Sequence, residues 1–388
     1  MRWLEPWYSA YAITGLMVLG VAPILMPVTV DGAGHGATIV GLVVAAFYVG
    51  GLFAPVLGSL ADRTGRQRAV FLATFPIMAV TVAGFAFTRE VWLWALLALV
   101  FGGAGSLCGT VAGLFVVEAH PQNEWNDRLS WFRLAYGAGQ VVGLIIAAVA
   151  ATHLKLGWLV TAVLLACGFL LGRIGLPQLR PSPPKKTSPT APGHRRLFPI
   201  FILTWLLTMT GVQTYFNVVP LIMRDAFGIS ASTTSLLFLV GAVIGTAIYP
   251  FCGKLANRVG PGLVLLIGLV ITAISFAAMA VAHSADLPGK SVIGALALVT
   301  SAIAYAPEVV AATMMIVRVA PGDQGSAMGL LNGIIAAGAV IGAIAPSFLA
   351  AMWGYSALPA VALVVLMAAA AAGIPLYRKI IWIPAHSS

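Results

Sequence analysis

The 388 residues are 60% hydrophobic and 8% charged, with a mean hydropathy of +1.00, whereas a soluble domain carries about 25% charged residues. Such a chain cannot cover itself with polar surface, which excludes a water-soluble globular protein and leaves lipid as its solvent. The 21 Lys and Arg against 11 Asp and Glu, a net +10, suit nucleic acid, an anionic membrane surface or an orientation signal, and the placing of the charges decides among them.

A bilayer core takes about 20 mostly apolar residues per helix. Apolar runs predict twelve spans, at 7–30, 37–59, 69–87, 91–117, 130–152, 156–176, 197–222, 232–252, 262–282, 291–317, 326–350 and 355–377. The first run is longer than the roughly 7–15 residues of a signal-peptide core and many spans follow it, so it is expected to be a membrane helix. All the runs are apolar throughout rather than alternating, and an open sheet edge in lipid would leave backbone groups unpaired, so the class is all-α. Cys108, Cys167 and Cys252 each sit in an apolar run without metal spacing and read as small hydrophobes.

With the N-terminus in the cytoplasm, 17 of the 21 basic residues fall on the inner side, and only Arg89, Lys155, Arg224 and Lys290 fall outside. This asymmetry fixes the orientation, with both termini expected on the cytoplasmic side of the inner (plasma) membrane. It also accounts for most of the net charge, so no nucleic-acid partner is expected. Residues 177–196 hold six prolines beside Lys185, Lys186, Arg195 and Arg196, the composition of a solvated linker. The linker divides the chain into six-helix segments, 1–176 and 197–388. Contact of its basic residues with anionic membrane lipids is the alternative reading.

Gly58-Ser-Leu-Ala-Asp62-Arg63-Thr-Gly65-Arg66-Gln-Arg68 joins the second and third spans, and Gly253-Lys-Leu-Ala-Asn257-Arg258-Val-Gly260-Pro261 joins the eighth and ninth, 195 residues later. Gly143 and Gly338, in the fifth and eleventh spans, share that offset. Agreement in position, side and residue type indicates an internal duplication.

In these residues the chain resembles the major facilitator superfamily, whose signature between its second and third helices is matched at Gly58, Leu60, Asp62, Arg63, Gly65, Arg66 and Arg68. The resemblance covers the whole chain through span count, linker and duplication. It implies two pseudo-symmetric six-helix bundles around a central cavity, with alternating access by rocking. Asp62 would face the N-terminal end of the eleventh helix. Arg63, Arg66 and Arg68 would pair with Glu118, Glu124 and Asp127 at the inner mouth. The bland alternative makes these arginines orientation signals only. Glycines of the fifth span (Gly137, Gly139, Gly143) and the eleventh (Gly329, Gly333, Gly338, Gly342) allow close helix packing.

Glu308 is an acid well inside the tenth span. Ionised, it would cost roughly 2.5–3.5 kcal/mol on insertion scales. It is therefore expected to face the cavity and to be protonated for part of a cycle, as a proton carrier or cation receptor. The alternative is a neutral acid hydrogen-bonded to a neighbouring helix. Pro307 before it removes a backbone donor. The resemblance places the first, fourth, seventh and tenth helices around the cavity, which makes Tyr11, Gln213, Asn217, Tyr305 and Glu308 the candidate substrate-binding residues. Each is open to a plain packing role. Arg133, near the inner end of the fifth span, reads as a snorkelling anchor. Phe101 stands where the drug and proton antiporters of the family often carry an arginine.

The expected function is secondary active transport, as proton-coupled export of a small amphipathic or cationic compound. Proton-coupled uptake of a sugar or other small metabolite is the alternative, kept open by the polar seventh span, and a lipid or lysolipid flippase is a further one. Anionic substrates are disfavoured, because no Lys or Arg is predicted at mid-membrane depth. A membrane-embedded enzyme or receptor is remote, since all six histidines fall in loops or tails. No metal site, cofactor or obligate protein partner is expected.

Overall fold

The computed structural model describes residues 5–53, 65–119, 125–177, 197–319 and 324–380. Among them every regular element is helical and there is no strand. The apolar helices, in order, are α1 (Tyr8–Gly32), α2 (Ala37–Leu52), α3 (Gln67–Phe87), α4 (Val91–Ala119), α5 (Trp125–Ala150) and α6 (Leu154–Gly175). There follow α7 (Phe198–Phe216), α8 (Ala231–Val259), α9 (Pro261–Ser284), α10 (Lys290–Val319), α11 (Gln324–Trp353) and α12 (Leu358–Ala372). Among the described residues eleven helices, α12 taken with the preceding turn from Tyr355, are long and apolar enough to span a bilayer, and α2 is a shorter apolar helix. Short helices Val219–Phe227 and Ile374–Ile380 follow α7 and α12.

Local chemistry explains the boundaries. Proline occupies the first turn of α7, α9 and α12, where its missing N–H has no helical partner to lose. Gly65 before α3 (φ +63°) and Gly260 before α9 (φ +91°) both take the left-handed backbone that a side chain resists. They are 195 residues apart, so the duplication extends to backbone conformation. The turn expected over Gly253–Pro261 is narrower than its sequence suggests. α8 continues through Val259, with Lys254 and Arg258 in its final turns complementing the C-terminal dipole, and Gly260 alone makes the turn.

The chain forms two compact units, Met1–Pro184 with Ala231–Leu236, and Lys185–Ser230 with Leu237–Ser388. In the first, α1 packs on α5 and α6, α2 on α4, and α3 on α4 and α6. Glycines carry the tightest approaches: a Cβ on Gly102 of α4 would overlap the Phe47 carbonyl, and one on Gly50 of α2 the Leu99 carbonyl. Glu5 fixes the entry to α1 by pairing with Arg128 of α5 and accepting a 2.6 Å bond from Trp7 Nε1. The first residues of α8 join this unit through Ser235, whose hydroxyl donates to the Leu144 carbonyl at 2.6 Å. In the second unit α9 packs on α10, and α7 on α11 and α12. Both units turn large apolar side chains outward, Val149 and Ile174 in one, Val364 and Met367 in the other. Such exposure would promote aggregation in water and suits a lipid solvent.

Candidate functional site

In the first unit the candidate groups gather where α1 meets α5. A Cβ on Gly15 would overlap the Tyr136 carbonyl, one on Gly139 the Ala12 carbonyl, and one on Gly143 the Leu16 carbonyl. Bare backbone on both helices thus lets them touch. Opposite these glycines α1 takes a π-helical turn over Leu16–Val21, an irregularity often found at functional sites. The close approach stacks Tyr11 on Phe132 (3.9 Å between centroids, 7° between planes) and on Tyr136 (4.8 Å, 24°). Tyr136 has Tyr11, Tyr48 of α2 and Cys108 of α4 as electrostatic neighbours, and the charge felt by Tyr11 is that of Arg133. The Cys108 thiol is engaged with the Thr14 hydroxyl at 3.3 Å.

The second unit repeats the glycine seam. A Cβ on Gly338 of α11 would lie 2.6 Å from Met209 Cβ, and one on Gly342 2.8 Å from the Thr210 carbonyl. The helix predicted over 197–222 ends at Phe216, and Asn217 caps it. Nδ2 of Asn217 donates to the Ala339 carbonyl at 3.1 Å, whereas its buried Oδ1 has no partner among the described residues. One turn earlier Gln213 is half-buried, its Cβ beside Gly342.

Glu308 is wholly buried in α10 and directed at α9. The Thr272 hydroxyl donates to its Oε1 at 2.7 Å, and Oε2 has no hydrogen-bond partner among the described residues. Room for the side chain comes from Gly268, where a Cβ would stand 2.7 Å from Glu308 Cγ. Lys, Arg and His are absent from the ion pairs and hydrogen bonds of this carboxyl among the described residues. The geometry is the alternative weighed from sequence, an acid hydrogen-bonded to a neighbouring helix, with one oxygen still free to hold a proton. Tyr305, one turn away on α10, is half-buried.

Of the motif residues, Gly58, Asp62 and Arg63 lie outside the described residues, as do the side chains of Glu118, Glu124 and Asp127. Arg66 is exposed. Arg68 donates from Nη1 to the Leu176 carbonyl and from Nη2 to the Arg173 carbonyl, both at 3.1 Å, and so caps the end of α6. Sequence reasoning did not single out Tyr48, Phe132, Tyr136 or Thr272. The available signal was the spacing of Arg133, Tyr136 and Gln140, which share one face of α5.

A family profile described as Major Facilitator Superfamily matches residues 7–206 and 201–387. Over 251 residues the chain is 24% identical to a multi-drug resistance efflux pump homologue of Lactococcus lactis, covering 60% of each chain. It is 27% identical over 246 residues to the class C tetracycline resistance protein of Escherichia coli, covering 60% of this chain and 61% of that one. These alignments therefore span about three fifths of the curated relatives' length. Among solved structures, the nucleoside transporter NupG superposes with a TM-score of 0.77 at 14% identity, over 96% of this chain and 98% of the other. That likeness establishes a shared fold.

Proposed function

We propose that this chain, which belongs to the major facilitator superfamily, is a secondary active transporter that exports a small amphipathic or cationic compound in exchange for protons. The observation that carries the reading is Glu308, a wholly buried carboxyl with one oxygen held by Thr272 and the other without a partner among the described residues. A carboxyl of this kind is stable in an apolar interior when it holds a proton, and shedding it requires water or a positive group to reach it. Proton uptake and release at Oε2 would thereby be tied to whatever opens the α9–α10 packing. Tyr11, Gln213, Asn217 and Tyr305 are the proposed substrate contacts, and the Gly58–Arg68 segment the proposed conformational element.

The proposed setting is the inner membrane, with both termini cytoplasmic. This rests on the 17 inner and 4 outer basic residues. Similarity to efflux proteins favours export. Uptake of a sugar or other small metabolite is the second reading, favoured by the half-buried Gln213 on α7 and by the Oδ1 of its cap Asn217, which has no partner among the described residues.

The test is accumulation of a broad compound panel in a bacterial host stripped of its own efflux pumps. Export predicts lowered accumulation of at least one compound, restored by an uncoupler and by Glu308→Gln. Faster accumulation of a metabolite with no compound extruded would replace export by uptake.

A further inference from the structure

The first unit presents, on one side of α5, hydrogen-bonding groups without partners among the described residues. Arg133, Tyr136 and Gln140 follow one another at spacings of three and four residues, hence along a single helical face. Tyr11 of α1 stacks on Tyr136, and Tyr48 of α2 is an electrostatic neighbour of Tyr136. The hydroxyls of the three tyrosines, the Arg133 guanidinium and the Gln140 carboxamide have no hydrogen-bond partner among the described residues. The aromatic side chains are nonetheless fixed, since Tyr11 is clasped between Phe132 and Tyr136 by stacking. Opposite, α4 leaves room: a Cβ on Gly109 would stand 3.5 Å from the Tyr11 hydroxyl, and one on Gly113 would meet nothing within 4 Å.

The balance of this set is chemically one-sided. A guanidinium can only donate, whereas a phenol or carboxamide can donate or accept. Among the described residues no carboxylate is an electrostatic neighbour of Tyr11 or Tyr136, and Arg133 supplies the only formal charge there. An organic cation would meet that charge with no carboxylate among the described residues to offset it. A planar ring bearing oxygen acceptors would instead stack on tyrosine and take donated hydrogen bonds from hydroxyl and guanidinium.

We infer that Arg133, Tyr136 and Gln140, with Tyr11 and Tyr48, form a binding half-site for a planar aromatic compound whose edge carries oxygen acceptors, as in an aromatic carboxylate or carboxamide. The inference rests on the transport reading, and within it selects an amphipathic aromatic substrate over a cationic one. It also gives Arg133 a ligand-facing role in place of a snorkelling anchor.

Equilibrium binding to the purified full chain in detergent micelles tests the half-site with three probes of one shape, 1-naphthoate, 1-naphthamide and 1-naphthylmethylammonium. The expected order is carboxylate, then carboxamide, with the ammonium compound weakest. Arg133→Gln should weaken naphthoate about tenfold or more while changing naphthamide by less than about threefold, as loss of a charged hydrogen bond requires. Tyr136→Phe keeps the ring and should weaken both acceptor probes by about threefold to tenfold. Gly109→Leu, placed to fill the space beside Tyr11, should reduce binding of all three.

Equal or tighter binding of the ammonium compound overturns the inference. So does naphthoate binding unchanged by Arg133→Gln, and so does binding of none of the probes at millimolar concentration. Binding needs no proton flux, so the two readings fail separately. Naphthoate held in this way by a chain that transports nothing would contradict the transport proposal alone, and proton-coupled export of a compound indifferent to Arg133 and Tyr136 would contradict the half-site alone.

Discussion

The hydroxyl of Thr272 donates to Oε1 of Glu308 across 2.7 Å, joining α9 to α10 inside the second unit. Both residues are buried, the carboxyl completely. Thr272→Val keeps the shape and removes the donor, which leaves both carboxyl oxygens unpaired. An unsatisfied buried polar group costs about 1–3 kcal/mol, so this variant should unfold at a lower temperature in detergent. Thr272→Ser, which restores the donor, should behave as wild type.

Gly268 supplies the space that Glu308 fills. A Cβ there would press on Glu308 Cγ at 2.7 Å and on its backbone nitrogen at 3.2 Å. Gly268→Val should destabilise the chain by about 1–3 kcal/mol, the usual penalty of overpacking, as read from thermal unfolding. Glu308→Ala in the same background should recover part of that loss, because the crowded side chain is then gone.

The two glycine seams give a paired prediction. Gly143 lies against the Leu16 carbonyl and Gly338 against Met209, and each holds two helices at backbone contact. Valine at either position forces its helices apart. Gly143→Val should therefore disturb the Tyr11–Phe132–Tyr136 stack and abolish transport with reduced yield of folded protein, and Gly338→Val should do the same through α7. Valine at Gly253, where a Cβ meets nothing within 4 Å, should leave yield unchanged.

Arg68 ties the start of α3 to the end of α6 through two carbonyls. Arg68→Ala frees both, and Arg68→Lys cannot reproduce the planar two-pronged geometry. Both should lower thermal stability, alanine the more, by about 1–2 kcal/mol at a part-exposed site.

Between α9 and α10, Lys290 hydrogen-bonds to Asp286 at 2.7 Å and holds its carboxyl below the usual carboxylate pKa. A lowered folded pKa contributes stability above the unfolded value and loses it as pH falls through the folded one. The melting-temperature difference between wild type and Lys290→Gln should accordingly be present near neutrality, small because the pair is exposed, and vanish in acid.

Twelve helices were legible because lipid demands long apolar runs, and these stand out in any sequence. The duplication was legible from Gly58 and Gly253, and its structural counterpart is the matched backbone of Gly65 and Gly260. The π-turn of α1 and the end of α7 at Phe216 were not. Both sit where the α5 and α11 glycines press on the neighbouring backbone, a tertiary effect without local composition. Glu308 was conspicuous as a lone acid in an apolar run. Its partner Thr272 was one threonine among many, 36 residues away in sequence. The tyrosine cluster was hidden for a similar reason, since Tyr11, Tyr48 and Tyr136 come from three different helices.

The proposed coupling is proton exchange through Glu308. Its most direct measurement uses purified chain in proteoliposomes loaded with a pH-sensitive dye and challenged with a gradient of a compound the cells export. In wild type the gradient should drive protons the opposite way. Glu308→Gln should move no protons while still exchanging labelled for unlabelled compound across the bilayer. Proton movement by Glu308→Gln equal to that of wild type would show that Glu308 does not carry the exchanged proton.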